Sequence, residues 1–203
     1  METIILVHGV GLWGTEMFLL KYRLRKLGYN CQQFYYSTRY KNLAENAAIL
    51  QNFLLSKSED TIHFVGHSLG GLLISQFFQD YPQKSSGRIV LLGTPWRGSE
   101  IARRLSQRKL GKFLLGKSVI SGLSQRLLPP LDRDVGVIAG SLDIGTGFLL
   151  GVSRPNDSLI SVKETYLPEI KEHIVLQVSH SSLLLSAKVS LFIHTFLQTG
   201  NFS

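Results

Sequence analysis

The stretch Ile62-His63-Phe64-Val65-Gly66-His67-Ser68-Leu69-Gly70-Gly71 decides how the rest of the chain is read. Ile62, Phe64 and Val65 form an apolar run expected of a strand, and 69–81 reads as a helix stopped by Pro82. Between them, Gly66-x-Ser68-x-Gly70 has the pattern of a sharp strand-to-helix turn that exposes a serine hydroxyl at its tip. Side chains at 66 and 70 would collide with the neighbouring strand and helix. The helix N-terminus points at Ser68, offering free N–H groups and a positive dipole end to any negative charge that develops there. Alone, such a motif can be an ordinary Gly-rich turn. With strand, turn and helix in register, it reads as a nucleophilic serine.

Working outward, strands are expected at Thr3–Val7, 31–36, 61–67, Ile89–Leu92, 135–139 and 173–178. Helices are expected at 14–27, with Phe18, Leu19, Tyr22 and Leu24 as its apolar residues, at Leu43–Leu55, and at 182–197. Continuous β-branched and apolar runs such as Thr3–Val7 suit strands buried on both faces. Alternation with helices gives an α/β class: about six mostly parallel strands with helices on both faces, in one domain spanning 1–203. Reactive groups in such sheets lie beyond the C-terminal strand ends. His8, Ser68, Asp157 and His180 all fall there.

A serine hydroxyl needs a base to take its proton, and the base needs an orienting carboxylate. Of six histidines, His63, His173 and His194 lie within elements, His67 is the variable residue of the turn, and His8 shapes the first turn. His180, in the Ser179-His180-Ser181 loop, is left as the base, and it stands last in the order Ser, Asp, His. Two acids compete. Asp143 closely follows the fifth strand, whereas Asp157 sits in Pro155-Asn156-Asp157-Ser158, which is also an ordinary turn signal. The residues alone favour Asp157 only modestly. Oxyanion donors are expected from the amides of Leu69 and Val10, and the substrate pocket from His8, Leu12, Trp13, Trp96 and Phe148.

These pieces resemble the compact α/β-hydrolase lipases and esterases, and less closely the GPI inositol-deacylase-like branch of that fold. The matching residues are His8-Gly9, Gly66-His67-Ser68-Leu69-Gly70-Gly71, Gly93-Thr94-Pro95-x-x-Gly98-Ser99, Asn156-Asp157-Ser158-x-x-x-Val162 and His180. The resemblance implies nucleophile Ser68, acid Asp157 and base His180, and it makes the preference for Asp157 over Asp143 firm. Ser158 and Trp96 depart from the family pattern, where many relatives have Gly and His. The implied activity is hydrolysis of carboxylic esters through an acyl-enzyme, with no metal or cofactor. Acyl transfer would use the same triad, and a non-catalytic lipid- or protein-binding module would not need all of it.

The net charge of +8 is unevenly placed. Residues 97–131 carry eight bases against one acid, Glu100, so +7 of it lies there. That concentration does not suit a nucleic-acid binder. The segment 97–134 stands where lipases of this family carry a cap, with apolar patches at Ile101, Ala102, Leu105 and at Leu110, Phe113, Leu114. A cap facing an anionic membrane surface is the expectation, against the plainer alternative of a solvated helix. The single cysteine, Cys31, excludes an internal disulfide and reads as a buried structural thiol. No Cys/His cluster has metal-ligand spacing. No basic n-region or long apolar stretch precedes Thr3, so a cytoplasmic protein is expected.

Overall fold

The computed structural model describes residues 2–11, 14–57, 61–81, 86–107, 109–125, 127–130 and 132–203, with the backbone alone for Leu110, Lys112, Leu114 and Leu123. Six strands lie among them: β1 (Thr3–Val7), β2 (Asn30–Phe34), β3 (Ile62–His67), β4 (Ile89–Leu92), β5 (Val135–Gly140) and β6 (Glu172–Leu176). They pair in the order β2-β1-β3-β4-β5-β6, every pair parallel. The order reverses at β1, which leaves a crevice beyond the carboxyl ends of β1 and β3.

Alternation along each strand feeds two cores. Ile5, Val7, Phe64 and Leu91 join the layer of α2 (Leu43–Leu55) and α3 (Leu69–Asp80). Ile4, Leu6, Val65 and Val90 face α1 (Phe18–Lys26) and α8 (Ala187–Thr199). Helices thus cover both faces, as a sheet without a polar side requires. Asn42 and Glu45 close a capping box at the start of α2. The buried Asn46 then donates to Ser37 O and Ser118 Oγ, tying α2 to the segment after β4.

That segment forms α4 (Glu100–Ser106) and α5 (Lys109–Ser124), the latter broken at Gly116 with φ 78°. At the break Lys117 and Ser118 N–H groups bond to Arg39 O and Thr38 O, so the bend is set by docking on the loop after β2. After β5 comes the single turn α6 (Thr146–Leu149).

Two helices differ from expectation. The 14–27 helix begins as a 3-10 turn, Thr15–Met17, and buries Met17, Leu20 and Leu24 while Phe18 and Tyr22 face solvent. The 182–197 helix is two, α7 (Ser182–Leu185) and α8, because Ser186 is extended and its hydroxyl accepts from Val189 N at the new N-terminus. Pro82, read as the stop of α3, lies outside the described residues. Among the described residues no helix is long and apolar enough to cross a membrane.

Cys31 is buried in β2. Burial pushes its thiol up to about 11. Because the folded value lies above pH 8, the group stays protonated there, and native protein at pH 8 should resist iodoacetamide while urea-unfolded protein reacts readily. Equal alkylation of the two would show Cys31 to be accessible.

Candidate active site

Beyond β3 the chain turns at Ser68, whose φ of 53° is one of two positive values outside glycine among the described residues. A non-glycine residue held there is strained, and the surroundings must impose it. They do so by close approach. A Cβ at Gly70 would lie 2.2 Å from Val7 O, and one at Gly66 2.8 Å from Gly71 N. Ser68 N donates to Leu92 O at 2.8 Å, so β4 holds the turn from the other side. The serine side chain makes no capping hydrogen bond to α3. Leu69 opens that helix, so its N–H belongs to the first turn, which has no intrahelical partner.

Asp157 is 1% exposed, and its Oδ2 accepts from His180 Nδ1 at 2.6 Å. Its Oδ1 accepts the N–H groups of Leu159 and Ile160, at 3.0 and 2.8 Å. The backbone doubles the link, with His180 N donating to Asp157 O at 2.8 Å. A carboxylate at Nδ1 keeps the proton on that nitrogen and leaves the Nε2 lone pair free. Asn156 Oδ1 accepts from Ser158 N and so sets the Asn-Asp turn, with Ser158 at φ 91°.

Asp143 has other work. Its Oδ1 accepts from Gly145 N and Gly147 N at 2.9 and 3.0 Å and shapes the start of α6. His8 is buried beneath the first turn: its Nδ1–H donates to Gly9 O, its ring stacks on Tyr36, and Tyr36 OH donates to its carbonyl. Burial keeps the imidazole below its ordinary range. His63, His173 and His194 are bonded to Arg88 N, Thr165 and Tyr29.

Ser68 and His180 line a cavity of about 450 Å³ together with Val10 and Leu69. The wall from α3, α4 and α5 is apolar: Leu72, Ile101, Ala102, Leu115 and Val119. Three side chains expected around the substrate do not line it. His8 is used in the turn, Trp96 packs into the core on the α2/α3 side, and Phe148 points to solvent at 70% exposed. Leu12 and Trp13 lie outside the described residues. Ile101 and Ala102, expected on a lipid-facing patch, instead face inward, because α4 lies along the cavity.

No protein-family model matches the chain, and no curated protein matches its sequence. Solved structures do. The mature lipase BlEst2 of Bacillus licheniformis shares 19% identity, with 98% of this chain and 92% of that one covered, at a TM-score of 0.79. The esterase EaEST of Exiguobacterium antarcticum shares 11% over 98% and 92% of the two chains, with a TM-score of 0.68. A lipase-esterase related protein of Clostridium acetobutylicum shares 16% over 96% and 94%, at 0.67. The chain has the α/β-hydrolase fold.

Within this α/β-hydrolase fold, three residues bear on the site without having been singled out as site residues from the sequence. Glu164, 5% exposed, accepts Ser161 N and Oγ at 2.7 and 2.9 Å on one oxygen and Glu100 N at 2.6 Å on the other. It ties the Asp157 loop to the start of α4. The signal was there, as Ser161-x-x-Glu164 is a capping-box spacing. His67 lies against His180 at 4.6 Å between ring centroids and bonds the His180 carbonyl through Nε2 at 3.2 Å. Burial, and then the neighbouring His180, hold His67 well below the ordinary imidazole range, so it stays neutral at pH 7. Glu16 also lines the cavity, and no motif marks it.

Proposed function

We propose that this chain is a serine hydrolase of carboxylic esters with an apolar acyl part. The observation that supports it most is the buried Asp157–His180 pair, which reaches the same cavity as a serine held at positive φ on a strand-to-helix turn. Ser68 Oγ attacks the ester carbonyl while its proton passes to His180 Nε2. The new oxyanion sits between the N–H groups of Val10 and Leu69, each such donor being worth ~2.7–4 kcal/mol of barrier. The C–O bond to the alcohol then breaks, and the leaving oxygen takes the proton from Nε2. Water repeats the sequence on the acyl-Ser68 ester: it loses a proton to Nε2 and adds to the carbonyl, and the C–O bond to Ser68 then breaks, Oγ taking the proton back from Nε2 as the acid leaves. Asp157 holds the imidazole tautomer throughout and stabilises the imidazolium. The lipase and esterases of like fold support the same class of reaction. Steady-state assay of p-nitrophenyl butyrate and octanoate is the direct test, and absence of turnover on any ester would contradict the reading.

Residues 97–134 act as a cap whose outer side meets an anionic lipid surface. Arg103, Lys109 and Lys117 are exposed there, with Phe113 61% exposed beneath the Arg39 guanidinium. Next to α4, where Arg104 donates to Leu150 O, the α6 turn presents Phe148 and Leu149, the latter 81% exposed. Each base near an anionic surface contributes ~1 kcal/mol, screened over ~10 Å at 0.1 M salt. Replacing Arg103, Lys109 and Lys117 by Glu should therefore weaken binding to anionic vesicles by about a hundredfold or more at low salt. Hydrolysis of a soluble short ester is the control. Equal vesicle binding by both proteins would leave the cap a solvated structural element.

A further inference from the structure

We infer that the substrate carries a protonated amine or quaternary ammonium group, held by Glu16, in addition to its apolar part. This rests on the ester-hydrolase reading and names the substrate class for that same cavity. The cavity wall contributed by α3, α4 and α5 is apolar, as described above. The other wall comes from the segment after β1 and from α7, with Val10, Glu16, Leu184 and Leu185. Glu16 is the single formally charged side chain among the described residues that line the cavity. Its Oε2 is buried with no hydrogen-bond partner. A carboxylate oxygen taken from water and left unpaired is costly, and such a group persists where something else supplies its partner.

No cation among the described residues does so. The ion pairs of Arg88, Lys171 and His63 are to Asp134 and Glu2, and none among the described residues reaches Glu16. The rest of the surface works the other way, since the net charge of +8 repels cations in general. A preference for a cationic substrate would therefore have a local origin. With the cavity's low-polarity lining, attraction between the Glu16 carboxylate and an ammonium group is stronger than on an open surface. The group's apolar substituents remain in contact with Leu184 and Leu185.

The experiment compares two esters of one acid that differ by a single charge, the trimethylammonioethyl ester and its neutral 3,3-dimethylbutyl isostere. The ratio of their kcat/KM values is read in wild type and in Glu16→Gln. A ratio of at least about tenfold in wild type, falling towards one in Glu16→Gln, is expected. Each ratio is internal to one protein, so partial loss of folded material cancels. A ratio near one in wild type, or one that Glu16→Gln leaves unchanged, overturns the inference. Calorimetric binding of butyltrimethylammonium and of 3,3-dimethylbutanol separates it from the hydrolase reading. Turnover of neither ester with tighter, Glu16-dependent binding of the cation removes the hydrolase reading and keeps this one. Turnover of both esters with equal binding of the two probes does the reverse.

Discussion

Ser68→Ala should reduce turnover of p-nitrophenyl butyrate by several orders of magnitude, while the far-UV spectrum and unfolding midpoint stay close to wild type. In a serine protease with a Ser-His-Asp triad, loss of the nucleophile costs ~10⁶ in kcat, and binding with the oxyanion donors leaves ~10³–10⁴ over water. The fold should tolerate the change because what holds the turn is backbone: Ser68 N to Leu92 O, Gly71 N to Ser68 O, and the glycines at 66 and 70. Alanine keeps the same Cβ at the same φ, so no new strain is added. Turnover near the wild-type level would remove Ser68 from the chemistry.

Asp157→Asn should lower kcat by about 10⁴, the cost of the same change in that class of triad. The hydrogen bonds explain why chemistry is lost before structure. Oδ1 accepts from Leu159 N and Ile160 N, and an asparagine oxygen can keep both bonds. Its NH₂ then faces His180 Nδ1, which must become the acceptor, and the ring proton moves to Nε2. That tautomer has no lone pair towards Ser68. Asp143→Asn keeps the acceptor that Gly145 N and Gly147 N use and has no bond to His180, so its kcat should stay within about threefold. Steady-state kinetics of the two variants side by side decide between the acids. A larger loss at Asp143 would reassign the orienting carboxylate.

Much of this architecture is legible in the sequence, and the reason is local. The runs of Thr3–Val7 and Ile89–Leu92 are buried on both faces, so composition alone marks them as strands. Asn42 and Glu45, three residues apart, form the capping box that starts α2. Where packing decides, the reading fails. Phe18 and Tyr22 occupy one helical stripe and Leu20 and Leu24 another, and nothing local says which meets the sheet. The break at Ser186 is invisible because the flanking Leu185 and Ala187 both favour helix. Trp96 and Phe148 stand next to the right strands, yet one turns into the core and the other to water. The pairing of Asp157 with His180 spans 23 residues; the residues by themselves favour Asp157 only modestly, and the family resemblance makes the preference firm. Glu16 has no motif at all; its place in the cavity follows from the 3-10 turn after β1.

Reaction with an alkyl fluorophosphonate, followed by intact mass and peptide mapping, tests the nucleophile most directly. The reagent phosphonylates a serine activated by its base and leaves other hydroxyls unmodified. One adduct per chain, mapped to Ser68, is expected in wild type. The same adduct should be absent from Ser68→Ala and formed far more slowly in His180→Ala. An adduct on a different serine, or no adduct on wild-type protein that is folded by circular dichroism, would contradict Ser68 as the nucleophile.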